Sequence, residues 1–276
     1  MLIKRFITAL LCAALLVQSS FVPATADIVI NSFAFETAVA TGGADATQFN
    51  GSTQYLNHTN GTGFSDSGTF TFNFWVKRAT DSTTERIFFV NATGGAGADG
   101  RFLPGFDTSD QFILFARNSS GTELLNITCT TTPISDTNWH HILASIDLSV
   151  DDSSHRYVYI DDVAQSMTVT TFVNSSIDFS GNAFTVAANS VSFTAKFFGA
   201  LSELYLDTGT FINLSVEANR RKFITSGGLP ADLGSDGSTP SGSSPEVYLA
   251  DGLTQTGTTT AFTATGSPTA VDGPNP

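Results

Sequence analysis

The sequence predicts an all-β fold built from many short strands, and three observations lead to this prediction. Only 13% of the 276 residues are charged, too few for amphipathic helices, whose solvent faces need Lys and Glu. Phe is the dominant aromatic residue with 24 copies, and it favours strands, as Thr, Val and Ile do. Apolar and polar residues alternate with a period of two in several segments. Many short strands separated by turn residues are typical of a sandwich or a barrel.

The N-terminus has the layout of a secretory signal peptide. Lys4 and Arg5 precede an apolar run over residues 6–17, and small residues end at Ala26. This order of basic, apolar and small residues is typical of a cleaved leader, and the run is shorter than the roughly 20 residues of a membrane span. We expect removal of residues 1–26, cleavage near Ala26, and secretion to the extracellular space or the periplasm. No other segment is predicted to span a membrane.

Net charge, hydrophobic content and cysteine count limit which classes of function and which states of the chain are possible. The chain carries a net charge of −13, which argues against sequence-independent nucleic-acid binding, because that needs Lys and Arg to neutralise phosphates. The 41% hydrophobic content excludes disorder as the main state. Cys12 lies in the predicted leader, so Cys129 remains alone and no internal disulfide is possible. No cation lies near Cys129 in sequence, and we predict a buried, inert thiol.

The strands follow one another along the mature chain. The clearest covers 69–76, where Phe70, Phe72 and Phe74 share one face and Trp75 lies on the other. Further strands are predicted at 86–90, 111–116, 122–128, 139–148, 156–160, 182–188, 197–206, 245–250 and 259–265.

One helix is predicted at 214–224. Ser215 is a suitable N-cap, Glu217 lies in the first turn, and basic residues lie near the end, which suits the helix dipole. Residues 226–244 are predicted as a long loop. The whole of 27–265 is predicted as a single domain, followed by a flexible tail at 266–276.

Five segments in order resemble the concanavalin A-like, laminin G-like jelly-roll superfamily. They are 49–56, 70–77, 138–147, 157–162, with Asp162 where Gly is usual, and 199–206. The resemblance is best supported over 45–225. It implies a jelly-roll sandwich of two antiparallel sheets with one short helix. It also implies carbohydrate or protein binding, often with one Ca²⁺. Its members include lectins and glucanases, so the fold does not settle the function.

No catalytic residue is predicted. Retaining glucanases need two carboxylates about 5–5.5 Å apart, and residues i and i+4 of a strand share a face. Glu203 and Asp207 are the nearest pair with this spacing, and we interpret them as a solvated strand end. His140 and His141 point to opposite faces of a strand and so cannot easily share a metal, and the resemblance implies that both are structural.

Two kinds of binding residue remain open. Trp75 and Trp139 could stack on sugars, but their apolar surroundings favour core packing. A bound Ca²⁺ and its absence stay equally open, because calcium takes six to eight oxygen ligands from loops and an acidic chain has carboxylates everywhere. No ligand set is assigned among the candidates, which are Asp107 and Asp110 of the segment 107–110, Asp147, Asp151, Asp152, Asp161 and Asp162.

The leading hypothesis is a secreted, non-enzymatic carbohydrate-binding or adhesive module. Its partner would be a glycan or an extracellular protein, held by the loops at 57–68, 91–100, 107–110 or 151–154. The alternative is a structural surface, matrix or particle-decoration protein that binds other proteins. A glycan-cleaving enzyme is the third possibility.

Overall fold

Two antiparallel sheets pack face to face in this protein. The computed structural model describes residues 45–58, 63–91, 100–150, 152–180, 183–189 and 195–274. The predicted leader and the opening of the predicted domain at 27–44 lie outside the described residues.

Eighteen strands, numbered in chain order, form the two sheets of the described part. The first sheet has the order β12 (Val163–Ala164), β11 (Arg156–Ile160), β10 (Trp139–Asp147), β3 (Thr69–Arg78), β15 (Phe198–Thr208), β1 (Asp45–Asn50) and β18 (Thr269–Asp272), with β16 (Val247–Leu249) paired to β15. The second sheet has the order β13 (Met167–Phe172), β9 (Glu123–Cys129), β8 (Phe112–Arg117), β6 (Gly100–Phe102), β5 (Phe88–Asn91), β14 (Ala183–Val186), β2 (Tyr55–His58) and β17 (Thr263–Thr265). The short strands β4 (Glu85–Arg86) and β7 (Gly105–Phe106) pair with each other, and β7 pairs with β8. The predicted two-sheet antiparallel fold is confirmed.

The core between the sheets consists mainly of phenylalanine. Phe70, Phe72 and Phe74 are fully buried, as the alternation in β3 predicts. The ring of Phe72 lies 5.2 Å from that of Phe74 and 5.8 Å from that of Phe102. Such ring pairs add to the stabilisation from apolar burial. Cys129 is also buried there, and burial raises the pKa of its thiol to about 12, in line with the predicted inert state.

The opposite face of the first sheet is covered by the chain that follows β15. A second hydrophobic cluster, called the outer layer below, consists of Leu143, Tyr205, Ile212, Leu214, Phe223, Leu233 and Tyr248. Leu143, Tyr205 and Tyr248 belong to the sheet, and the others come from the segment after residue 208. The first sheet is therefore buried on both faces.

The helix is shorter than predicted. Helix α1 covers Glu217–Arg220, and its N-cap position is Val216, without a side-chain cap. The prediction of Ser215 as the cap is wrong, because the Ser215 hydroxyl donates instead to Asn213 Oδ1 at 2.6 Å.

The predicted flexible tail contains a strand. Residues of β18 pair with β1, with Ala270 opposite Thr47 and Val271 opposite Ala46. β15 pairs with one edge of β1. The backbone groups of the other edge would be unpaired without β18, which forms hydrogen bonds with them. This part of the C-terminus therefore completes the first sheet.

Candidate functional site

A cleft of about 380 Å³ opens at one end of the outer layer. It is lined by Trp75, Trp139, Asp161, Asp162, Arg221, Ile224, Thr225, Ser226 and Gly228, and it is called the tryptophan cleft below. Its volume lies near the lower end of the range of about 300–1,000 Å³ for small-molecule sites.

Strand pairing brings the two tryptophans together. In the ladder of β3 and β10, Trp75 lies opposite His141, and Trp139 lies two residues from His141 on the same face. Trp75 is 3% exposed, and its ring centroid lies 4.9 Å from that of His141. Trp139 is only half-buried. The prediction of core packing is therefore wrong for Trp139, whose ring borders the cleft.

The Trp75 side chain carries an unused hydrogen-bond donor. Within the described part of the chain, its buried indole N–H has no hydrogen-bond partner. A buried donor without a partner costs free energy.

A tight turn between β11 and β12 supplies the acidic wall of the cleft. Asp161 and Asp162 both have positive φ angles, 51° and 62°, a conformation that Asp tolerates better than most residues. Asp161 Oδ1 accepts the backbone N–H of His141 at 2.8 Å, and Asp161 Oδ2 lies 2.7 Å from His140 Nδ1. On its other side, His140 Nε2 lies 2.9 Å from Asp136 Oδ1. The carboxylates, chiefly that of Asp161, raise the pKa of His140.

Asp162 ties the turn to the helix. Its Oδ1 accepts Arg220 Nε, and its Oδ2 accepts Arg221 Nη2 at 2.6 Å. Arg221 Nη2 also lies 2.9 Å from Glu217 Oε1, and the Arg220 guanidinium lies 4.6 Å from the centre of the Tyr159 ring. Burial alone would raise the pKa of Asp162, but the two guanidinium groups outweigh it and lower that pKa.

The comparisons with known proteins agree with this architecture. Residues 50–208 match the Laminin_G_3 family model of the concanavalin A-like lectin/glucanases superfamily. The chain belongs to this family. No curated protein matches it.

Two solved structures share the laminin G-like fold. A heptameric SAP-like pentraxin from Limulus polyphemus has a TM-score of 0.54 at 12% identity, and the match covers 83% of this chain and 95% of the pentraxin. A proposed carbohydrate-binding protein from Bacteroides ovatus ATCC 8483 has a TM-score of 0.55 at 12% identity, with 84% of this chain and 60% of the other covered. At these identities the likeness concerns the fold.

The two histidines of this laminin G-like domain have different environments. His141 is fully buried, its Nε2 donates to Asn73 Oδ1 at 2.5 Å, and burial lowers its pKa to about 3. His140 lies instead between the carboxylates of Asp136 and Asp161. The two rings therefore serve separate hydrogen-bond networks.

Glu203 and Asp207 are not a solvated strand end, so that interpretation is wrong. β15 carries a bulge, because Ser202 and Tyr205 pair with Trp75 and Asn73, which leaves one extra residue in β15. Glu203 lies in this bulge with φ 51°. Its Oε2 accepts the hydroxyl of Tyr248 at 2.7 Å, whereas Asp207 accepts that of Tyr205 at 3.0 Å. Neither residue lines the tryptophan cleft.

The described carboxylates among the calcium candidates form other contacts. Asp110 forms a salt bridge with Arg78, which is 1% exposed and also binds Glu85. Asp107, Asp147 and Asp152 accept backbone N–H groups of their own turns, and Asp151 lies outside the described residues. Among the residues that the structure describes, no three His, Cys, Asp or Glu side chains are grouped as metal ligands. Calcium binding stays a prediction without assigned ligands.

The candidate binding loops are described only in part. Residues 59–62, 92–99 and 151 lie outside the description. The loop at 107–110 is held by the buried Arg78 salt bridge. Arg221, the segment 224–226 and Gly228 line the cleft but were not predicted from the sequence. The one available signal was the unusual Asp162, whose position predicts a specific contact for its carboxylate.

Proposed function

We propose that this protein is a secreted, non-enzymatic carbohydrate-binding module whose glycan enters the tryptophan cleft. The observation that carries the proposal is that Trp75 and Trp139 line one cleft together with charged and hydroxyl-bearing residues. Aromatic rings with a few fixed polar groups are the usual composition of small-molecule sites. The cleft offers an apolar surface for a sugar ring and donors and acceptors for its hydroxyls.

The non-enzymatic part of the proposal rests on the carboxylates. Glu203 and Asp207 each hold the hydroxyl of a different tyrosine in the outer layer. Asp161 and Asp162, which line the cleft, are engaged with His140 and the two arginines. Such carboxylates position other groups, whereas a glycosidase needs one free acid and one free nucleophile or base.

Secretion is supported by the leader pattern that ends near Ala26. None of the described helices is long and apolar enough to cross a membrane. The fold, shared with a pentraxin and a proposed carbohydrate-binding protein, is compatible with a glycan-binding role.

The test uses the chain's own fluorescence. Its two tryptophans both line the cleft, so a ligand bound there should change the intrinsic emission of the protein. A glycan array first identifies the sugars that bind, and fluorescence titration with the best of them then locates the site. A glycan that binds without changing the emission would place the site elsewhere, and a blank array from folded protein would contradict the proposal.

Substitution of Trp139 tests whether the glycan binds in the tryptophan cleft. We expect Trp139→Ala to weaken binding by about tenfold or more, which is about 1.4 kcal/mol, because the stacking surface is lost. Phe115→Ala is the matched control, since Phe115 is a half-buried aromatic residue of β8 that does not line the cleft. It should leave the affinity unchanged. Equal losses in both variants would indicate a general effect on folding and remove the support for this site.

A further inference from the structure

We infer that the tryptophan cleft selects uncharged sugars over sugars that carry a carboxylate or a sulfate. The inference rests on the proposed glycan function and names the ligand class of the same site. Its basis is the charge pairing in the cleft wall.

The cations at the cleft are already engaged. Arg221, the arginine in the lining, contacts both Asp162 and Glu217. The neighbouring Arg220 contacts Asp162 and lies over the Tyr159 ring. The charge of Arg221 is thus already offset by two carboxylates. An anionic sugar that approached Arg221 would lie beside these carboxylates and be repelled by them.

The carboxylates of the wall face the entering ligand. The Asp161 side chain is 42% exposed and that of Asp162 is 22% exposed, and both line the cleft. A like charge at short distance is repelled, and the net charge of −13 adds to this repulsion during approach. An uncharged sugar meets no such penalty.

The remaining groups suit hydroxyls. Thr225 and Ser226 line the cleft, and a hydroxyl can donate to or accept from a sugar hydroxyl. The exposed carboxylate of Asp161 can accept from a sugar hydroxyl. The half-buried ring of Trp139 gives an apolar surface for the C–H face of a pyranose. These contacts need no charge on the ligand.

The experiment compares sugars in which a carboxylate replaces the neutral CH₂OH group at C6. Galactose is paired with galacturonic acid and glucose with glucuronic acid, each as the free sugar and as the terminal residue of a short oligosaccharide. Tryptophan fluorescence titration of the unmodified protein gives the dissociation constants. In each pair that binds, we expect the neutral member to bind at least about tenfold more tightly at low ionic strength. Salt at about 0.5 M should narrow this ratio, because it screens exposed charges.

A charge-removing variant provides a second measurement. Asp162→Asn takes away one carboxylate and leaves the two guanidinium groups short of a partner, so the acidic sugar should gain affinity and the ratio should fall towards unity. Asp272→Asn changes the net charge equally, at an exposed position of β18 outside the cleft. This control should keep the ratio of the unmodified protein.

The outcomes separate the two proposals. Equal or tighter binding of the acidic sugars by the unmodified protein overturns the inference and leaves the glycan-binding function intact. Failure of every sugar on the array to bind overturns the proposed function and the inference with it. A salt-independent preference for the neutral sugar would show that shape sets the selectivity, which also overturns the charge argument.

Discussion

The two faces of the first sheet are both buried, but by different chemistry. Towards the second sheet, Phe70, Phe72 and Phe74 meet other apolar side chains. On the opposite face, the outer layer buries Tyr205 and Tyr248, whose hydroxyls are held by carboxylates. The inner face thus depends on shape and apolar area, and the outer face depends also on hydrogen bonds and protonation.

This difference between the two faces explains why the tryptophan cleft lies on the outer face of the first sheet. Close-packed phenylalanine leaves no room or donors for a ligand, whereas the outer layer ends before it covers Trp139 and so leaves a cleft with polar walls. One strand, β3, supplies both faces, with Phe74 inside and Trp75 outside. The comparison therefore predicts that substitutions on the inner face affect stability and that those on the outer face affect pH dependence and binding.

The largest expected effect is on the inner face. Phe72→Ala should lower the free energy of unfolding by about 3–5 kcal/mol, because it removes a buried ring and leaves a cavity. Urea unfolding followed by circular dichroism measures this loss. Phe115→Ala, at a half-buried position, should cost clearly less. Similar losses for the two variants would contradict the assignment of Phe72 to a close-packed core.

The sequence allowed the inner face to be predicted and the outer face only in part. Alternation identified β3 and the side of Phe70, Phe72 and Phe74, because a period of two follows directly from strand geometry. The resemblance then implied that the strands form two antiparallel sheets. Alternation also put Trp75 on the other side, but it does not tell whether that side is covered by later parts of the chain.

The site depends on contacts that sequence spacing does not encode. Tyr205 meets Tyr248 across 43 residues through the pairing of β15 with β16. The bulge at Glu203 needs a positive φ, which the local sequence does not indicate. Because of this bulge, the rule that residues i and i+4 of a strand share a face does not apply to Glu203 and Asp207. Likewise, Arg221 was explained by the helix dipole, whereas a carboxylate 59 residues away holds it.

A smaller effect is expected from Glu203 on the outer face. The pKa of Glu203 is raised from 4.5 to about 7, and burial is the largest cause of this increase. The unfolded chain then loses this proton at lower pH than the folded protein does. Stability should therefore fall as the pH rises from 4.5 towards about 7. One pKa unit corresponds to about 1.4 kcal/mol, and partial solvent contact reduces the effect, so we expect a loss of about 1–2 kcal/mol.

Urea unfolding at several pH values tests this window. Glu203→Gln should remove the loss between pH 4.5 and about 7, because the amide does not titrate and still accepts the Tyr248 hydroxyl. Glu217→Gln is a control at an exposed carboxylate of α1, and it should keep the slope. If the slope survives in Glu203→Gln, another group is responsible.

The smallest expected effect comes from His140, which faces two carboxylates, one of them that of the cleft residue Asp161. One ring nitrogen of His140 lies within hydrogen-bond distance of Asp161 and the other within that of Asp136. Only the protonated ring can donate from both nitrogens at once. Its folded pKa is raised above 6.5. The contribution of His140 to stability is therefore fully present below pH 6.5 and is lost as the pH rises through the folded pKa. We expect less than about 1 kcal/mol, since both carboxylates are solvent-exposed.

NMR titration of the histidine rings measures this directly. His140 should titrate above pH 6.5, and Asp161→Asn should lower its midpoint, because the carboxylate that raises the pKa of His140 most is removed. His141 serves as the internal control: with a pKa of about 3 it should stay neutral throughout, although it is the next residue in the chain. A His140 midpoint at or below 6.5 would mean that the bridge is not formed in solution. Opposite behaviour of adjacent histidines would show that the face of the strand, rather than the position in the sequence, sets the charge state.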